Sequence, residues 1–173
     1  RERGDLALGR AAAERDEGLT VRLLIGVGNS YLRQPQDGPA LNAYRLALQR
    51  PEIERIPRLK AHALANSGEV LRRQGRLDEA ERVLKELIER FPNSYEGYFL
   101  LGRVHLDRGK AALAGKQFRK AAELDPESIE PLFELLKIAR EQGKKDEVFR
   151  ISQEILKRDP DNSRAYLEMA LYY

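Results

Sequence analysis

Apolar residues recur at three- and four-residue steps along most of this chain, and each such stretch would form one apolar face of a helix. Glycines and prolines alternate between these stretches. Glycine tolerates the left-handed turn that ends one helix, and proline ends the next helix. The glycines are Gly75, Gly109 and Gly143, and the prolines are Pro92, Pro126 and Pro160. The pattern predicts an all-α chain of helix pairs.

Residues 95–128 carry the clearest unit of this pattern. Leu101 and Gly102 come early in it, a small and an aromatic residue follow in the middle, and Pro126 comes late. The set of residue types at these fixed spacings resembles the tetratricopeptide repeat (TPR), with His105 as the one departure, where a tyrosine is usual. The resemblance implies a right-handed superhelical array of antiparallel helix pairs, an α–α solenoid.

The unit recurs with a step of 34 residues, from Ala61 to Tyr95, Ile129 and Ser163. A poorer copy begins at Val21, with six additional residues before Ala61. We therefore predict about four repeats plus partial terminal helices in one continuous domain. The predicted segments are an N-terminal helix, partial repeat or linker at 1–20, a degenerate repeat with an insertion at 21–60, repeats at 61–94, 95–128 and 129–162, and the first helix of a further or capping repeat at 163–173.

Local signals refine these boundaries. We expect a short helix around residues 6–15, and a lengthened helix that begins at Pro57 and reaches about Gln74. Small residues such as Gly68 and Gly102 are expected where the two helices of a repeat cross closely. The residues expected to cap helix N-termini are Ser94, Ser128 and Asn162.

The end of the chain is a different kind of feature. Its last five residues, 169–173, are apolar around the whole helix, whereas a terminal helix of a repeat array is expected to be polar outside. We expect either that the natural protein continues beyond Tyr173 or that this end buries itself against another copy.

Composition narrows the classes of function. The 31 Lys and Arg residues and the 28 Asp and Glu residues give a net charge of +3, with both signs interleaved, which favours a solvated surface over a nucleic-acid footprint. The absence of cysteine excludes disulfides and thiolate sites, and no apolar run is long enough to span a membrane. The compartment stays undetermined; we favour the cytoplasm over a periplasmic or secreted location, which would require a removed signal peptide.

No motif supports catalysis or cofactor binding. Gly109 and Gly115-Lys116 imitate a phosphate loop, but the glycines are one residue too far apart and Gln117 follows the lysine where a hydroxyl is needed. We interpret Gly109 as a turn residue and Gly115 as a surface position on a helix. The two histidines lie apart, with His105 expected in the core, so no metal site is predicted. We expect neither an enzyme nor a cofactor.

The resemblance implies instead that the concave groove lined by the first helices of the repeats binds a partner peptide or segment. Phe99 and Phe133 are expected to be exposed anchors there, surrounded by charges of both signs. A clamp for a terminal carboxylate, which some members use, is not expected, since its lysine positions are apolar here. The groove residues that follow are Ile25, Asn29, Arg33, His62, Asn66, Glu69, Arg73, Phe99, Arg103, Phe133 and Lys137.

Three alternatives stay open. The first is an architectural module that self-associates through its C-terminal helix, and the second is a regulatory domain of a larger multidomain protein. Helical-repeat RNA binding is less favoured, because Glu69, Glu96 and Glu130 interrupt any basic track. The sequence does not identify the partner, the pathway or the oligomeric state.

Overall fold

The computed structural model describes the backbone of residues 2–171 and the side chains of residues 18–171. Over this range the chain is helical, as predicted, with short turns between the helices. The α-helices are α1 (Glu2–Arg33), α2 (Asp37–Leu48), α3 (Pro57–Arg73), α4 (Leu77–Arg90), α5 (Tyr95–Asp107), α6 (Ala111–Leu124), α7 (Glu130–Glu141), α8 (Lys145–Arg158) and α9 (Ser163–Leu171).

The chain divides into two compact units, Arg1–Leu87 and Ile88–Tyr173, here called unit 1 and unit 2, and the boundary falls near the end of α4. In unit 1, α2 packs against both α1 and α3. In unit 2, each helix from α5 to α9 packs against the next one along the chain. Helix pairs of the expected kind are therefore present in both units, and the segment boundaries within one continuous domain remain a prediction.

The first helix differs from its prediction. A short helix near residues 6–15 was expected to precede the repeat that starts at Val21, but α1 runs without a break from Glu2 to Arg33. No proline lies in this stretch, and Gly18 alone does not stop a helix that good helix formers continue on both sides. Near its middle, Leu23 is 60% exposed.

The six additional residues of the degenerate repeat form a short 3₁₀-helix, Pro51–Arg55, whose Ile53 is completely buried. Ile53 joins a core cluster with Tyr44 of α2 and Ala63 of α3. Helix α3 then begins at Pro57 and ends at Arg73, with Gln74 as its C-cap. The predicted start and length of this helix are confirmed.

Glycines let the two helices of a repeat touch. A Cβ atom added at Gly28 would lie 2.6 Å from the ring of Tyr44, and one added at Gly102 would lie 2.6 Å from the ring of Phe118. In the last full repeat the large and the small residue change places: Leu136 stands where Gly102 does, and Ser152 stands where Phe118 does. Both are fully buried. The unusual residues of that repeat thus still fill its core.

Turn and cap predictions are confirmed in all but one place. The three punctuating glycines all have a positive φ, between 65° and 72°. The Ser94 hydroxyl accepts a hydrogen bond from the Gly97 amide at 3.1 Å, and the Asn162 side chain accepts one from Ala165 at 3.0 Å. The prediction for Ser128 is wrong, because α7 starts at Glu130 and the Ser128 hydroxyl pairs with the Tyr95 hydroxyl at 2.8 Å.

Candidate functional site

Four polar side chains meet in unit 1, at the junction of α1, α2 and α3. The Tyr44 hydroxyl donates to Asn29 Oδ1 at 2.6 Å, and Asn66 Nδ2 lies 3.3 Å from the same oxygen. His62 Nε2 lies 3.2 Å from Asn29 Oδ1 and 2.8 Å from Asn66 Nδ2. Three predicted groove residues therefore come together, although Asn29 lies 33 positions before His62 and 37 before Asn66. With Tyr44 they form one cluster, here called the amide cluster.

The local fold explains why these groups converge. Gly28 lacks a side chain, so the Tyr44 ring lies directly against α1 and its hydroxyl reaches the neighbouring Asn29. His62 and Asn66 are one helical turn apart and share a face of α3. Burial raises the pKa of Tyr44, and its hydrogen bond with Asn66 opposes that rise, so the phenol stays neutral and donates its proton at ordinary pH.

Tyr44 is the member that sequence reasoning missed, because its place in the repeat was assigned to the core. The ring is indeed buried, but the hydroxyl needs a polar partner. A tyrosine where Phe118 stands in the later repeat was the signal that could have revealed it.

The charged groove residues of unit 1 are engaged with neighbours. Glu69 receives two hydrogen bonds from the Arg72 guanidinium, at 2.8 and 2.9 Å. Arg73 pairs with Asp37 at 2.6 Å, and Arg33 is exposed in the last turn of α1. Glu69 and Arg73 are therefore both paired with neighbouring side chains in unit 1.

Ile25 requires a correction. It was placed in the groove, but its side chain is 4% exposed and belongs to the core cluster that contains Val21 and Tyr44. Its position in the helix brings it beneath the surface rather than onto it, so we remove it from the candidate contact residues.

Unit 2 presents a cluster of aromatic rings, here called the aromatic cluster: Tyr95, Phe99 and Phe118. The Tyr95 and Phe99 rings are stacked, with centroids 5.7 Å apart and planes 7° apart. The other side of Phe99 meets the buried Phe118 ring at 5.7 Å and a tilt of 56°. Phe99 is thus half-buried rather than fully exposed, and it joins the surface to the core.

Phe133 on α7 is also half-buried, and the Arg164 guanidinium lies 4.6 Å from its ring centroid. This geometry is that of a cation–π contact. Arg103 is half-buried and Lys137 is exposed. Both phenylalanines were expected to be exposed. That expectation is wrong, because Phe99 and Phe133 are partly buried and pack against the core cluster of unit 2.

Among the residues that the structure describes, no group of three or more His, Cys, Asp and Glu side chains is placed to hold a metal ion. No helix in the described part of the chain has both the length and the apolar character that a membrane crossing requires. His105 is buried at 5% exposure, as predicted for a packing residue.

Comparison with known proteins adds the family. The family model described as Tetratricopeptide repeat matches residues 65–129, which include the glycine-packed crossing at Gly102. Residues 65–129 therefore carry tetratricopeptide repeats, and the chain has the fold of tetratricopeptide repeat proteins. Members of this family are in general protein-interaction scaffolds rather than enzymes.

The chain is also similar to known proteins in sequence and in fold. It is 33% identical over 87 residues, half of its own length, to Superkiller complex protein 3 of Homo sapiens, and it spans about 6% of that relative. Its fold is similar to that of a tetratricopeptide repeat protein from Parabacteroides merdae, with a TM-score of 0.76 and 18% identity, over 89% of this chain and 59% of that chain.

A second solved structure is YrrB, described as a TPR protein with an unusual peptide-binding site. The TM-score is 0.68 and the identity 20%, over 96% of this chain and 82% of that chain. At this level of identity, the similarity to the two solved structures establishes the fold alone.

Proposed function

We propose that this chain is an interaction module that binds a segment of a partner protein on its first helices, α1 and α3 in unit 1 and α5 and α7 in unit 2. The observation that carries the proposal is the amide cluster, in which groove residues from two repeats lie within hydrogen-bond distance of one another. The description of YrrB as having a peptide-binding site is consistent with this function.

Amide and imidazole groups suit an extended peptide. A side-chain amide both donates and accepts hydrogen bonds, as the peptide backbone does. Asn29 and Asn66 are partly buried and held by Tyr44, whereas His62 is exposed at the edge of the cluster. A bound backbone would exchange hydrogen bonds with these preordered groups, which lowers the entropy cost of binding.

The aromatic cluster and Phe133 suit the side chains of the partner. Half-buried rings that are fixed by neighbours offer large apolar area and lose little entropy on binding. Arg103 and Lys137 bring positive charge to the same two helices, which also carry Glu96 and Glu130. We therefore infer that the segment bound in unit 2 carries apolar side chains flanked by charges of both signs.

The test begins with peptides selected from a random library on the purified chain. We expect Asn66→Ala and Lys137→Glu each to weaken the selected peptides at least about fivefold, as replacing a central interface residue does. Lys120→Glu is the matched control, since Lys120 lies on the second helix α6 and its side chain is 46% exposed. Circular dichroism checks that the helices are intact, and calorimetry gives the affinities.

The outcome decides the site. Peptides that bind Asn66→Ala and Lys137→Glu as tightly as the unchanged chain would exclude the first-helix surfaces. Loss of binding in Lys120→Glu alone would place the interaction on the second helices.

A further inference from the structure

Unit 2 contains a cavity of about 420 Å³ among α6, α7 and α8, away from the aromatic cluster. We propose that this cavity is a second docking site for an acidic segment of a partner protein. An aliphatic side chain of that segment would enter the cavity, and the segment's carboxylates on either side of it would lie at the opening. The proposal is independent of the function proposed for the first-helix surfaces.

The cavity exists because small residues of α6 face larger ones of α7. Ala111, Ala112 and Gly115 form one wall, and Leu135 with Ile138 forms the other. A Cβ atom added at Gly115 would lie 3.8 Å from Leu135 Cδ2, which is ordinary contact without a clash. Gly115 is therefore not required by close packing, unlike Gly102, and it leaves open space beside Leu135, which is itself 5% exposed. The expectation that Gly115 is a plain surface position is corrected accordingly, since it is half-buried at this wall.

The first repeat provides an internal comparison for this wall. Leu41 of α2 holds the place in unit 1 that Gly115 holds in unit 2, and it is buried at 3% exposure. The repeat fold therefore accommodates a leucine at this place. Asp37 replaces Ala111 there and pairs with Arg73, so polar contacts also occupy that corner of unit 1. Unit 2 thus leaves open, beside Gly115, the space that a buried leucine takes at the corresponding place in unit 1.

Charge around the opening selects the occupant. Lys116, Arg119 and Lys144 line the opening together with a single carboxylate, Glu147. Glu147 is held by ion pairs with Arg119 and Arg150, which occupy its negative charge. The corresponding pair in unit 1, Arg45 with Glu79 at 3.2 Å, shows that this ion pair belongs to the fold. The surplus charge therefore comes from the two exposed lysines.

These observations fit one chemical class. An aliphatic side chain of the partner would enter the space beside Gly115 and Leu135, and flanking carboxylates would meet Lys116 and Lys144 at the opening. A volume of about 420 Å³ lies within the range of small binding pockets in proteins. Because the lysines are exposed, their attraction is screened by salt, and affinity should fall as salt rises.

The test uses three fluorescein-labelled peptides and fluorescence anisotropy. The first has two central leucines between glutamates, the second replaces the glutamates with lysines, and the third replaces the leucines with glycines. We expect only the first to bind the unchanged chain, with an affinity that falls several-fold between roughly 50 and 200 mM salt, because exposed charges become screened over this range.

Two variants then locate the site. Gly115→Leu should fill the cavity, as Leu41 does in unit 1, and weaken the acidic peptide at least about tenfold, the change that loss of one buried anchor produces. A double variant, Lys116→Glu with Lys144→Glu, should weaken it similarly and remove its salt dependence. The exposed Lys120→Glu is the matched charge control and should stay within twofold, about the variation expected for a charge outside the site.

Three results would overturn the proposal: equal binding by Gly115→Leu and the unchanged chain, equal binding of the lysine peptide, or a loss of binding in Asn66→Ala but not in the cavity variants. Thermal unfolding of Gly115→Leu checks its fold. If that variant is unstable, the paired lysine variant decides the question alone, since both lysines are exposed.

Discussion

At the scale of single residues, two glycines of neighbouring helices have opposite roles. Gly102 of α5 is a contact point, where the Phe118 ring lies against the helix, whereas Gly115 of α6 borders open space beside Leu135. Both glycines lie inside helices, where alanine is favoured by about 1 kcal/mol. The difference in their surroundings therefore determines the sign of an alanine substitution.

We expect Gly102→Ala to destabilise the chain by about 1–3 kcal/mol, because the added methyl group overpacks against the fully buried Phe118 ring. Gly115→Ala should leave stability unchanged or raise it by up to about 1 kcal/mol. Urea unfolding followed by circular dichroism measures both variants. Equal shifts of the two midpoints would contradict the assigned roles.

The residue scale also shows what sequence can reveal. The crossing glycines, the turn glycines and Pro57 were predictable because each has one steric requirement that a spacing pattern exposes. The burial of Ile25 and the hydroxyl contact of Tyr44 were not, since both depend on the orientation of one helix against another. Ser128 was misassigned for the same reason, because its competing partner, Tyr95, is distant in the sequence.

At the scale of helices, ion pairs connect helices that also pack through their apolar residues. The Glu147 carboxylate of α8 interacts with Arg150 one turn later and with Arg119 of α6. Hydrogen bonding from Arg150, together with the charge and hydrogen bond of Arg119, lowers the pKa of Glu147 from 4.5 to about 2. The contact therefore makes part of the stability dependent on pH.

The sign follows from the lowered pKa in the folded state. Glu147 should contribute stability fully above about pH 4.5, and this contribution should be lost as the pH falls from there to about 2. Because both arginines are about half exposed, we expect a contribution of about 1 kcal/mol or less. Urea midpoints of the unchanged chain and Glu147→Gln should converge across this pH range. A difference that stays constant with pH would contradict the assignment.

Packing between helices also explains why one candidate site was partly predictable from the sequence and the other was not. Three groove residues of the amide cluster were selected from the sequence, because repeat spacing puts them on corresponding helix faces. The cavity beside Gly115 was not anticipated, since it depends on the combined volume of side chains from α6 and α7. Similarly, the unbroken α1 reflects continuation across Gly18, which local signals do not decide.

At the scale of the whole molecule, the last helix leaves apolar surface exposed. In α9, Tyr166 is 55% exposed, Leu167 58% and Leu171 66%. Tyr166 occupies the place that Leu64 and Leu132 hold in earlier repeats, where both are buried. Tyr172 and Tyr173, which belong to the predicted apolar end, lie outside the described residues.

This surface gives the architectural alternative a specific test. If α9 mediates self-association, the average mass by light scattering should rise with protein concentration, and Leu167→Glu with Leu171→Glu should abolish the rise. Both side chains are more than half exposed, so the substitutions should cost little stability in the monomer. A mass that is independent of concentration would exclude this role for the chain.

Within each unit, packing between helices that follow one another in the chain has a kinetic consequence. Contacts of this kind join residues that are close in sequence, and proteins rich in such contacts fold in microseconds to milliseconds. Each helix pair can also form before the next one is synthesised, because its partners are already present. Newly made chain can therefore acquire native packing progressively during translation, which shortens the time for which its apolar faces are exposed to other chains.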